Sequence, residues 1–90
     1  VTPNEFLLEQ NYPNPFNPST KIKFTIPKES NVQLNIYNVL GELVSTLINE
    51  QLNAGYHEYS FHSSNLASGI YIYRIKAGDF VDTRKMVLLR

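Results

Sequence analysis

The sequence predicts an all-β fold, an antiparallel sandwich of about seven short strands. Three observations point there. Apolar and polar residues alternate with a period of two in run after run from Lys21 onward, as half-buried strands require. The runs recur at short, regular spacing and are bounded by Gly, Pro, Asn or Asp, the punctuation of turns. No segment keeps a convincing 3.6-residue period against this pattern.

Taken in order, Phe6 to Glu9 is a candidate short first strand. The segment Gln10-Asn11-Tyr12-Pro13-Asn14-Pro15-Phe16-Asn17-Pro18-Ser19-Thr20 follows and cannot be helix. Each proline fixes its own φ and removes a donor, and each residue before a proline is pushed toward extended backbone. Asn14-Pro15 and Asn17-Pro18 can each add an Asx-type turn. Tyr12 and Phe16 bring apolar mass that a plain linker does not need, so the segment reads as a rigid lead-in with two aromatic anchors seeking burial. Lys21 to Ile26 alternates cleanly until Pro27 stops it, and Val32 to Tyr37 alternates again. After the turn Asn38 to Gly41, the run Glu42 to Ile48 is ambiguous, because Val44 and Leu47 also fit one helical face. Its β-branched residues and strand neighbours favour a strand. Asn53-Ala54-Gly55 turns into Tyr56 to His62, and Asn65 to Gly69 turns into Ile70 to Ala77. Gly78-Asp79 is a two-residue hairpin signal, with Phe80 to Leu89 returning as the last strand.

This pattern fits an immunoglobulin-like sandwich. The expected inward set is Ile22, Phe24, Ile26, Val32, Leu34, Ile36, Tyr59, Phe61, Tyr71, Tyr73, Ile75, Met86 and Leu88. Residues 1–90 read as one domain, with a Pro/Asn-rich lead-in over 1–20 and the sandwich over 21–90. A chain of 90 residues buries roughly 60–65% of its unfolded surface, enough for a thin core.

Eight basic residues balance eight acidic ones, which speaks against nucleic-acid binding. The absence of cysteine excludes a disulfide scaffold and any thiolate metal site. No apolar run has the length of a membrane-spanning helix, so membrane insertion is not expected. No N-terminal signal peptide is recognisable, and Met86 is the only methionine; the expectation is a piece of a longer parent protein.

Chemistry-bearing residues are sparse. His57 and His62 lie five apart on one strand and so face opposite sides; they cannot jointly chelate a metal from it, and zinc needs three or four convergent ligands. Asp79 and Asp82 are too few for a calcium site on their own. Serines occur without a Gly-x-Ser-x-Gly elbow, no carboxylate pair stands out, and the glycines are isolated turn residues rather than a phosphate loop. The expectation is a protein that is not an enzyme and has no cofactor or metal. Tyr37, Tyr56, Tyr71 and Tyr73 could form a sugar platform, but aromatics in small sandwiches are mostly core; Tyr37 and Tyr56 are the expected exposed pair. The terminal run Met86-Val87-Leu88-Leu89, bracketed by Lys85 and Arg90, carries charges that guard an apolar strand. It reads either as an ordinary last strand or as one offered to a partner by β-augmentation.

The stretch Gln10 to Thr20 resembles the opening motif of the type IX secretion system C-terminal sorting domain, type A, also called the Por secretion tail. The resemblance continues through Ile22, Phe24 and Pro27, then Ile36-Tyr37-Asn38 with Gly41. It extends to Ala54-Gly55-Tyr56-His57, Leu66-Ala67-Ser68-Gly69-Ile70-Tyr71 and Lys85-Met86-Val87-Leu88-Leu89-Arg90. One departure is Phe61, where the family often has Trp. The ordered set covers nearly the whole chain.

The resemblance implies a non-catalytic sorting signal. It would direct a parent protein through the periplasm and across the outer membrane, for secretion or display at the cell surface. The implied partners are the type IX machinery at the outer membrane and the parent domain upstream, with the chain itself a monomer. In the family a surface protease typically removes the domain. The resemblance puts the sorting signal at the C-terminal end, Lys85, Met86, Val87, Leu88, Leu89 and Arg90; the segment Tyr12, Pro13, Asn14, Pro15, Phe16, Asn17 and Pro18 is either a second recognition motif or simply a cap over one end of the sandwich. The alternative is an accessory carbohydrate-binding or structural immunoglobulin-like module of a secreted multidomain enzyme.

Overall fold

A computed structural model describes residues 3–63 and 65–89. Seven strands run in chain order: β1 (Leu7–Leu8), β2 (Ser19–Ile26), β3 (Ser30–Tyr37), β4 (Leu43–Leu52), β5 (Gly55–His62), β6 (Gly69–Ala77) and β7 (Phe80–Leu88). They form two antiparallel sheets, ordered β1-β2-β5 and β4-β3-β6-β7, and the described residues contain no helix. This is the all-β, two-sheet architecture that the alternation predicts.

Alternation sets which side chains meet. In β2 the residues Thr20, Ile22, Phe24 and Ile26 turn inward, and in β3 Ser30, Val32, Leu34 and Ile36 do so. Tyr71, Tyr73, Ile75 and Ala77 of β6 and Met86 and Leu88 of β7 complete the facing layer. Leu8, Phe16 and Phe61 join the same core. Every expected inward residue is buried except Tyr59, which is half-buried and packs on the core margin because its strand β5 is a sheet edge. Leu8 and Ala77 are core residues outside the expected set.

The ambiguous fourth run is a strand, longer than expected, and its ambiguity has a structural cause. Leu34 pairs with Ile48 but Asn35 with Thr46, and Ile36 pairs with Ser45 but Tyr37 with Leu43. Leu47 and Val44 are therefore extra residues, each a bulge that resets the alternation. Around the two bulges the half-buried positions of β4 become Val44, Ser45, Leu47 and Ile48, a spacing that imitates a helical face. At the β6–β7 hairpin, Ala77 pairs with Phe80 across the two-residue loop Gly78-Asp79. Gly78 there has φ +60°, a left-handed conformation that glycine adopts without steric cost.

The two sides of the sandwich close differently. On one side the unpaired edges of β4 and β5 lie at the ends of their sheets, and the strands are joined by Asn53-Ala54. On the other side the N-terminal segment passes from one sheet to the other. Leu7 and Leu8 pair with Thr25 and Phe24 of β2, and Tyr12 forms an isolated antiparallel bridge with Lys21. Phe16 then forms a parallel bridge with Leu88 of β7.

Candidate recognition surface at the joined chain ends

The two segments singled out at opposite ends of the sequence are neighbours in the fold. The Phe16 amide donates to the Val87 carbonyl at 2.9 Å, and the Leu89 amide donates to the Phe16 carbonyl at 3.1 Å. The Val87 amide donates to Asn14 Oδ1 at 2.9 Å, and Gln10 Nε2 donates to the Lys85 carbonyl. Further along, Arg84 Nε donates to the Leu8 carbonyl at 3.1 Å, and the Phe6 ring stacks on Phe80 with centroids 5.1 Å apart. The N-terminal segment thus runs the length of β7 and covers its outer edge. The Lys85 carbonyl, both main-chain groups of Val87 and the Leu89 amide, which β-augmentation would use, are engaged within the chain.

The lead-in is held from beneath. Phe16 is 2% exposed and meets Phe61 edge-on with centroids 6.1 Å apart. The buried Asn11 donates through Nδ2 to Thr20 Oγ1 at 3.0 Å and to the Pro13 carbonyl at 3.2 Å, and Thr20 Oγ1 donates to that same carbonyl at 2.9 Å. The Pro18 carbonyl accepts from both the amide and the hydroxyl of Ser63. The Tyr73 hydroxyl accepts from the Asn11 amide at 2.7 Å and donates to the Glu9 carbonyl at 2.7 Å. Burial pushes its pKa up to about 12, against the lowering effects of the Asn11 hydrogen bond and the nearby Arg84 charge.

Carbonyls turned inward leave the rings outside. Tyr12 is 80% exposed, which corrects its expected role as a buried anchor. Both its amide and its carbonyl bond to Lys21 at 3.0 Å, and the strand alternation this imposes puts Asn11 inside and the Tyr12 ring outside. Pro13, Asn14, Pro15, Asn17 and Pro18 are exposed with it. A groove of about 320 Å³ lies between the Tyr12 and Pro13 rings and the sheet, lined also by Ser19, Thr20, Lys21 and Ser60.

At the other end, Lys85 and Leu89 are exposed and Val87 is half-buried, whereas Met86 and Leu88 are fully buried. Arg90 lies outside the described residues. Of the residues named as candidates, Phe16, Met86 and Leu88 are core and can present nothing directly to a partner; Tyr12, Pro13, Asn14, Pro15, Asn17, Pro18, Lys85 and Leu89 can. The lead-in residue Gln10 and Arg84, to which the sequence gives no such role, tie the two ends together.

The remaining chemistry is structural. His57 stacks on Phe24 with centroids 5.3 Å apart, and its Nε2 donates to the Asn53 carbonyl at 2.8 Å. His62 Nδ1 lies 2.8 Å from Ser19 Oγ. Among the described residues no group of three His, Cys, Asp or Glu side chains converges as a metal site would require. Tyr56 is exposed as expected, but Tyr37 is half-buried. The Arg74 guanidinium lies 5.1 Å over the Tyr37 ring and donates to its hydroxyl at 2.8 Å.

A family model described as a secretion system C-terminal sorting domain matches residues 10–89, from the lead-in through the last described strand. The chain belongs to this family. As a member it is a sorting signal for type IX secretion, which places it on a route across the outer membrane to the cell surface or the medium. It works with the type IX machinery and with a parent protein upstream. Sorting domains of this family are in general non-catalytic. No curated protein matches the chain.

Proposed function

We propose that the export machinery reads the surface built jointly by the exposed rings of the lead-in, Tyr12, Pro13, Pro15 and Pro18, and the outward side chains of the last strand, Lys85 and Leu89. The observation that carries this reading is the pair of main-chain hydrogen bonds by which Phe16 donates to Val87 and accepts from Leu89, with Asn14 beside them. They fix the two segments against each other along one shared edge, with Tyr12 and Pro13 beside the outer face of the first sheet and Lys85 on the outer face of the second. The buried Phe16, Met86 and Leu88 act by holding this surface in shape. Because the β7 edge is covered, side chains rather than a free strand edge meet the partner. A rigid ridge of Tyr and Pro rings suits a groove lined with aromatic side chains, which gains affinity from a segment that is already ordered.

In this reading residues 1–90 act as one unit, a monomer without catalytic activity, metal or cofactor of its own. The parent supplies whatever activity is delivered. The test is a folded reporter fused upstream of the chain and produced in a cell with type IX secretion. Tyr12→Ser with Pro15→Ser, and separately Lys85→Glu, should each reduce surface delivery without lowering the melting temperature by more than a few degrees. Delivery of both at the unaltered level would refute the reading.

A further inference from the structure

The outer face of the four-stranded sheet carries charge of one sign. By the register of β4, β3, β6 and β7, this face presents Leu43, Thr46, Asn49 and Gln51, then Asn31, Gln33, Asn35 and Tyr37. Ile70, Ile72, Arg74 and Lys76 follow on β6, and Val81, Thr83, Lys85 and Val87 on β7. Its charged residues are Arg74, Lys76 and Lys85; no acid is among them, although the whole chain has formal net charge zero. The first sheet differs, since its outer cations Lys21 and Lys23 share their face with Glu58, which lies 3.6 Å from Lys21 and pairs across the strands with Lys23.

One end of the cationic face is apolar. Leu43 pairs with Tyr37, Tyr37 with Ile72, and Ile70 with Val87. Leu43 is 57% and Ile70 46% exposed. A shallow depression of about 240 Å³ sits between these groups, lined by Tyr37, Gly41, Ile72, Arg74 and Thr83. Contiguous exposed apolar surface edged by polar groups marks an interaction site.

We propose that this face docks a protein surface of the export machinery that has an apolar centre and an acidic rim. A protein partner fits the juxtaposition of the apolar row Leu43, Tyr37, Ile72 with Arg74, Lys76 and Lys85. Three cations are few for an anionic membrane, which is bound by clusters of about four to eight, but they suffice to orient a protein partner and exclude wrong ones. The inference rests on the sorting reading above. It adds Ile72, Arg74 and Lys76 to the recognised residues, and Lys85 makes the face continuous with the joined chain ends.

The experiment uses the chain fused to its reporter. Arg74→Glu/Lys76→Glu should lower surface delivery about tenfold, the effect of roughly one lost charge pairing. Ile72→Thr should lower it several-fold, and Arg74→Lys/Lys76→Arg should retain it. Melting temperatures should stay within a few degrees of the unaltered chain. If the double reversal disturbs folding through the Arg74–Tyr37 contact, Lys76→Glu alone should still reduce delivery. Unchanged delivery of Lys76→Glu and Ile72→Thr overturns the proposal. If Tyr12→Ser/Pro15→Ser fails in delivery while these face variants do not, the chain-end reading stands and the face proposal falls. Loss in the face variants alone supports the face and removes the lead-in ridge. The purified chain is also mixed with phosphatidylglycerol–phosphatidylcholine vesicles. Binding there that Arg74→Glu/Lys76→Glu abolishes would identify a lipid surface as the target and overturn the protein partner.

Discussion

Replacing Phe16 by Ala tests whether the lead-in is part of the fold or only a tail laid upon it. The ring is 2% exposed and packs edge-on against Phe61. Removing a buried Phe ring costs about 3–5 kcal/mol in transfer and cavity terms. A folded chain is typically stable by roughly 0.05–0.15 kcal/mol per residue, or about 5–13 kcal/mol at this length. The variant should therefore fold with much of its margin gone. At about 4–8 °C per kcal/mol for a domain of this size, its melting temperature should fall by more than about 10 °C.

Amide exchange adds a local signature. The Val87 and Leu89 amides donate to Asn14 and Phe16 of the lead-in, whereas those of Met86 and Leu88 point into the ladder with β6. Loosening the lead-in should accelerate exchange at Val87 and Leu89 before their neighbours. A melting temperature within about 4 °C of the unaltered chain, with exchange at both amides unchanged, would show that Phe16 does not hold the two ends together.

Three further outcomes are expected. Tyr73→Phe leaves the Asn11 amide and the Glu9 carbonyl without their bridging hydroxyl and should cost about 1–3 kcal/mol by denaturant titration. The raised Tyr73 pKa, about 12 against about 10 in the unfolded chain, contributes stability that is fully present below pH 10 and lost as pH rises through 12; Tyr73→Phe should flatten that alkaline loss. Phe24→Ala, at a ring 1% exposed and stacked on His57, should destabilise by about 3–5 kcal/mol, and a melting temperature shifted by only a few degrees would exclude Phe24 from the core.

Much of the fold was legible because the residues carrying the signal lie in strands of unbroken alternation. Lys21 to Ile26 and Val32 to Tyr37 face the core on one side and water on the other, so period two predicts both strand and inward set. The reading weakened where that period breaks. Val44 and Leu47 are bulge residues, and two phase resets in one strand imitate a helix. Hydrophobicity alone does not give the direction of the Tyr12 ring; its outward direction follows from backbone bonds to Lys21, a non-local pairing that local sequence does not reveal. The same applies to the candidate site. Its two halves were visible as a Pro/Asn-rich stretch and a terminal apolar run, but their contact depends on a crossing between sheets. Gln10 was visible only as the start of the lead-in, and neither its role nor that of Arg84 was legible, because both bond backbone carbonyls, those of Lys85 and Leu8, far away in sequence.

Surface delivery of one triple variant, Tyr12→Ser/Pro15→Ser/Lys85→Glu, most directly tests the claim that the joined chain ends are what the export machinery reads. All three positions are exposed, so the substitutions should change stability by only about 0.5 kcal/mol each, and the purified variant should melt within a few degrees of the unaltered chain. Fused behind a folded reporter in a type IX-competent cell, it should deliver at least about tenfold less reporter to the surface, as expected when an interface loses 1.4 kcal/mol or more. Full delivery by a variant that folds normally would contradict the account.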